Sequence, residues 1–221
     1  MTALRGLLLC VVVALLALAG GARAAMLIVD PSTGLLTGAD LIELRGLTSA
    51  RYGTYAVEFR VGTCIQRFDG CDSAEEDFAF TAEADALIAA QALLDQVLLD
   101  GPAGSFDSDF SQTRGCRTSG PPPYCRATVP WDRRTISGGS SVAHIVDYTY
   151  AQNTNDITST QEAAVASGSQ IGWNTRVDAT GGIWAVYTFV PEPATLLLFG
   201  LGAAGALYAG HRRRPRATTA A

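Results

Sequence analysis

Apolar residues follow two kinds of pattern along the chain: unbroken runs near both termini, and alternation or helical spacing between them. Tyr55, Val57, Phe59 and Val61 alternate with polar or small residues, which predicts a strand closed by Gly62. Phe78 and Phe80 extend the same logic to a shorter strand over Glu76–Phe80. From Ala82 to Leu99 the period changes, and Leu87, Ile88, Leu94, Val97 and Leu98 form one broad apolar helix face. Thr81 serves as its N-cap, Glu83 and Asp85 lie where the helix dipole favours anions, and Asp100-Gly101-Pro102 stops it. Residues 103–130, rich in Gly, Ser, Pro and Asp, predict a long loop. Ser141–Tyr150 and Gly182–Val190 predict two more strands, with Asn153–Ser169 either a loop or a weak helix around Gln161–Ala166. No internal repeat has a convincing phase. The pattern is that of a single small α+β domain with several strands and one main helix near 82–99.

The terminal runs carry different signals. Arg5, the apolar stretch Leu7–Ala19 and the box Ala22-Arg23-Ala24 read as a secretory signal peptide over residues 1–24, cleaved to leave Ala25 first. Cys10 lies within the apolar stretch, behind Leu8 and Leu9, which argues against lipidation. At the other end, Pro191-Glu192-Pro193 fixes two φ angles and removes two backbone donors, so it stays extended. The uncharged run Ala194–Gly210 and the basic stop Arg212, Arg213 and Arg214 then read as one transmembrane helix with its C-terminus in the cytoplasm. An ectodomain over 25–189 remains between the two signals.

Charge and cysteine usage narrow the partners. All 21 acidic residues lie between Asp30 and Glu192, together with ten of the 16 arginines and no lysine, a formal charge of −11 for that stretch. Such a surface excludes nucleic acid as a partner, because attraction to phosphates dominates that binding. With Cys10 removed, four cysteines remain, and an even number in an exported chain implies disulfides. Of the three possible pairings, Cys64 with Cys71 and Cys116 with Cys125 each close a turn-rich loop, Phe68-Asp69-Gly70 in the first and Ser119-Gly120-Pro121-Pro122-Pro123 in the second. Neither spacing suits zinc.

The segment Val190-Pro191-Glu192-Pro193-Ala194-Thr195, followed by a Leu/Gly/Ala-rich span and an arginine cluster, closely resembles the PEP-CTERM sorting domain, over residues 190–216. The resemblance implies recognition by exosortase, a membrane-embedded transpeptidase-like protease. It also implies passage through the inner membrane of a Gram-negative bacterium, and delivery to the cell surface or an extracellular polysaccharide matrix. The block Tyr55–Gly101 is also similar to uncharacterised PEP-CTERM proteins in its Gly62-Thr63-Cys64 strand end, its Phe68–Asp72 loop and its Ala-rich helix.

Catalytic chemistry finds little support. His144, with Ser140, Ser141 and Asp147 nearby, is more simply a polar strand edge than a triad. HExxH, GxSxG and P-loop motifs are absent from the sequence, so no catalytic residue and no cofactor are expected. The acidic group Asp69, Asp72, Glu75, Glu76 and Asp77, and the pair Asp107 and Asp109, are weak candidates for calcium. Trp131, Trp173 and Trp184 with Tyr124, Tyr148, Tyr150 and Tyr187 offer a stacking platform for sugars or, more simply, a core. Three classes follow, in order: a non-enzymatic surface or matrix protein, a calcium- or glycan-binding module, and a carboxylate-dependent hydrolase.

Overall fold

The computed structural model describes residues 24–116, 124–138, 141–154, 163–172, 174–175 and 182–191. Contacts divide the chain after Val190, and the description below concerns the first unit. Its strands are β1 (Met26–Val29), β2 (Leu36–Leu44), β3 (Gly53–Arg60), the two-residue β4 (Asp100–Gly101) and β5 (Gly104–Ser105), β6 (Tyr124–Gly138), β7 (Ser141–Thr154), β8 (Ala163–Gly172) and β9 (Gly182–Val190). Among the described residues, three helices, α1 (Cys64–Arg67), α2 (Ala74–Asp77) and α3 (Glu83–Gln96), and a 3-10 turn at Phe110–Gln112 accompany them. Seven strands form one sheet in the order β1-β2-β3-β9-β6-β7-β8, and β4 and β5 make a separate small hairpin. Every neighbouring pair in the large sheet is antiparallel except β6 with β9.

Both faces of this sheet are covered around β9. Its apolar run is nearly continuous, as a strand buried on both sides requires. Ile183, Ala185 and Tyr187 enter the main core with Tyr55, Val57 and Phe59 of β3, under the alanine-rich surface of α3. Trp184 points the other way, into a second cluster with Phe68, Phe78, Val146, Ile171 and the Cys64–Cys71 bridge. The α1–α2 segment therefore acts as a lid over Trp184, whose indole N–H donates to the Gly62 carbonyl at 3.0 Å. The Phe68 and Phe78 rings pack edge-on, and Phe68 also meets Trp184 edge-on at 5.4 Å.

Several predicted elements move. Glu76–Phe80 is not a strand: Ser73 caps α2 by accepting from the Glu76 N–H, and three carboxylates in that first turn suit the dipole. Phe78 and Phe80 then serve different cores, because the chain crosses from one sheet face to the other between them. Helix α3 begins at Glu83 with Ala82, not Thr81, as its N-cap, and ends at Gln96 before the predicted Asp100-Gly101-Pro102 stop, which instead turns the β4–β5 hairpin. Its buried surface is Ala86, Ala89, Ala90, Ala92 and Leu93, whereas Leu87, Ile88 and Leu94 are half-buried on the flank. Small side chains let the helix axis come close to the sheet, which displaces the larger residues to the rim.

The predicted loop 103–130 ends early, since β6 starts at Tyr124. Pro130, which cannot donate to the ladder, sits where the register with β7 shifts, and the extra residue Trp131 occupies the bulge. Strand β7 runs on to Thr154, and β8 occupies part of the segment predicted as loop or helix. Strands β1 and β2 have no counterpart in the sequence prediction. A bulge between Ala39 and Ile42, with Leu41 at φ 61°, breaks the alternation that would have revealed β2.

Candidate functional site

The sorting segment begins inside the last strand. Phe189 and Val190 close β9, paired with Tyr55 and Thr54 of β3, and Pro191 follows at once and is exposed. Proline has no N–H to continue the ladder, so the sheet stops where the motif starts. Glu192, Pro193, the predicted span and Arg212, Arg213 and Arg214 lie outside the described residues, as do residues 1–23 with Ala22; Ala24 is described and exposed. Among the described residues no helix is long and apolar enough to cross a membrane.

Both expected disulfides are present. Cys64–Cys71 has an S–S distance of 2.00 Å, and Cys116–Cys125 brings its Cα atoms within 5.3 Å. The first ties α1 to the turn before α2, with Cys71 held at φ 55°. The second joins the segment after the 3-10 turn to β6 at the edge of the main core.

Two of the carboxylates considered for calcium, Asp77 and Asp109, are engaged in local caps or turns. Asp77 accepts from the Asp72 and Ser73 N–H groups at 2.9 and 3.0 Å. Asp109 accepts from the Ser111 hydroxyl and N–H, which hold its carboxyl below the ordinary range, with the hydroxyl contributing most. The Asp107 N–H donates to Asp100, which also accepts from the Ser108 N–H. Asp69 lies in the turn within the first disulfide loop. Among the described residues no group of three or more His, Cys, Asp or Glu side chains is placed to hold a metal ion.

His144 and Asp147 are not brought together. Three positions apart on β7, they face opposite sides of the sheet. His144 Nδ1 lies 3.2 Å from Arg133 Nη2 and 3.0 Å from Thr135 Oγ1, while Asp147 forms a two-point pair with Arg134 at 2.7 and 2.8 Å. Trp184 and Tyr187 are core residues, Tyr187 donating its hydroxyl to the Ala89 carbonyl at 2.8 Å. Trp131 is half-buried on β6 rather than exposed in a loop, and Trp173 lies outside the described residues.

Two arrangements escaped the sequence. Asp85, fully buried, accepts from the backbone N–H groups of Thr48, Ser49 and Ala50 and from both hydroxyls, at 2.6–2.9 Å. Burial pushes its carboxyl up, but those hydrogen bonds more than offset it and hold it well below the usual carboxylate range. On the opposite sheet face, the Arg126 guanidinium carbon lies 4.4 Å from the centre of the Tyr124 ring and 4.6 Å from that of Tyr150. Its Nε donates to Gln152 at 3.2 Å. The Tyr-x-Arg spacing of β6 is the one trace of this in the sequence.

No curated protein and no solved structure matches the chain. Residues 189–214 match the family model of the PEP-CTERM protein-sorting motif, and the chain is accordingly a protein that carries this motif, starting within the final strand of its folded unit.

Proposed function

We propose that this chain is a non-enzymatic protein of the cell surface or extracellular matrix, exported behind a signal peptide over residues 1–24 and processed by exosortase at Pro191-Glu192-Pro193. In this reading Ala194–Gly210 holds the chain in the inner membrane until processing, and Arg212, Arg213 and Arg214 act as the cytoplasmic stop. The observation that carries it is the matched motif itself, together with its position. Pro191 follows β9 with no spacer, so cleavage at the motif removes the sorting segment and leaves the seven-stranded sheet whole. Two disulfides suit an oxidising compartment. The non-enzymatic role draws support from the engagement of Asp77, Asp100, Asp109 and Asp147 in caps and ion pairs.

Replacing Glu192 with Ala in the native host tests it. The variant is expected to accumulate in the membrane fraction with its arginine tail attached, while the parent protein reaches the surface or medium without it. Unchanged trafficking of Glu192→Ala would remove the motif from the account.

A further inference from the structure

We propose that Arg126, clamped between Tyr124 and Tyr150, is the anion-recognition centre of a binding site for a carboxylate-bearing sugar. The proposal goes beyond the sorting function and is independent of it.

Among the described residues the clamp is a cation without a counter-ion. Arg45, Arg60 and Arg134 each pair with a carboxylate, Glu43, Glu58 and Asp147 respectively, at 2.5–2.8 Å. Arg126 instead lies over two rings, with its guanidinium carbon 4.4 and 4.6 Å from their centres, and gives its Nε–H to Gln152. That leaves Nη1 and Nη2 without an acceptor among the described residues. Sheet register explains the absence: the positions beside Arg126 on its face are Tyr124, Thr128, Tyr150, Gln152, Thr154 and, across on β9, Gly182, none of them anionic. A half-buried guanidinium held by these three contacts presents its remaining N–H fork in one orientation, which matches the two oxygens of a carboxylate.

The surroundings favour a sugar over a peptide as the bearer of that carboxylate. Gly182 packs closely beside the Arg126 stem, where an added Cβ would lie 3.0 Å from the Arg126 carbonyl oxygen and 3.6 Å from its Cβ. Tyr148 continues the ring row, its centre 6.2 Å from that of Tyr150. A sheet face offers ring surfaces and side-chain groups but no unpaired ladder, and an extended peptide gains most of its affinity from an unpaired ladder at an edge. A pyranose needs only the former.

The test uses the protein purified from its host, titrated by calorimetry with trigalacturonate, with neutral maltotriose and with triglutamate. Trigalacturonate is expected to bind, at least ~10-fold tighter than either other probe, and to weaken with added salt. Arg126→Gln should reduce its affinity about 10- to 100-fold, and Arg126→Lys by about 10-fold, because an ammonium keeps the charge and loses the fork. A second measurement needs no variant: trigalacturonate should slow modification of Arg126 by an arginine-selective dicarbonyl, read by peptide mass, and maltotriose should not. The proposal is overturned by an absence of trigalacturonate binding, by equal binding of maltotriose or triglutamate, by unchanged affinity in Arg126→Gln, or by unprotected Arg126. Sorting is read by Glu192→Ala and not by this titration, so either result stands without the other.

Discussion

Asp85→Asn removes one charge and almost no volume, which makes it a clean probe of how the loop before β3 is held. The carboxylate takes five hydrogen bonds, Oδ1 from the Thr48 N–H and hydroxyl and Oδ2 from the Ser49 N–H, the Ser49 hydroxyl and the Ala50 N–H. In its best orientation the asparagine amide keeps the oxygen on the Ser49 and Ala50 side and turns its NH2 toward Thr48. The Thr48 hydroxyl can rotate to accept, but the Thr48 N–H then faces another donor. An unsatisfied backbone donor costs about 1–3 kcal/mol, and loss of the charge weakens the three surviving bonds by several tenths each. The expected total is about 2–4 kcal/mol, out of the 5–15 typical for a whole domain. The assay is urea unfolding followed by the fluorescence of buried Trp184, with disulfides intact. A pH series adds a second reading. Because the folded carboxyl is held below its ordinary value, its stabilisation is complete above about pH 4 and declines as pH falls further. The parent protein should therefore lose stability on acidification more steeply than Asp85→Asn, and the two should converge at low pH. A variant within about 0.5 kcal/mol of the parent at pH 7, or an unchanged acid slope, refutes the reasoning.

Three other perturbations follow from named contacts. Gly115 adopts φ 85°, and an added Cβ would come within 2.3 Å of Val61 Cγ1 and 2.6 Å of Ile183 Cγ2, so Gly115→Ala should cost about 2–4 kcal/mol in the same unfolding assay. Replacing Cys64 and Cys71 together by Ser should cost about 2–3 kcal/mol and shift Trp184 emission to the red, because the lid over the indole is no longer tied. Asp147→Ala leaves Arg134, half in solvent, to rehydrate, whereas Arg134→Ala strands a nearly buried carboxylate. Thermal melts should therefore rank Arg134→Ala as the less stable of the two.

What the sequence revealed divides by the range of the signal. Strands β3 and β9, the centre of α3 and both disulfides are written in local patterns: period-2 apolar positions, an Ala-rich helical stretch and short turn-rich loops between cysteines. The sorting motif is legible for the same reason, being a contiguous segment. Strand β8 was not, because Ala, Ser and Gly dominate it and its place in the sheet comes from pairing with β7. Helix α3 misled in its facing, since alanines carry little hydrophobic weight yet decide which side can approach the sheet. Asp85 looked like a dipole partner because its five donors come from residues 35 to 37 positions earlier. The Arg126 clamp joins Tyr124 and Tyr150 through a cross-strand register that appears only once β6 and β7 are paired.

Intact mass of the protein recovered from the surface or medium of its native host tests the central claim most directly. The expected product begins at Ala25, retains β9 and both disulfides, and has lost everything beyond the Pro191–Pro193 motif. A product that still carries Arg212, Arg213 and Arg214 would contradict it.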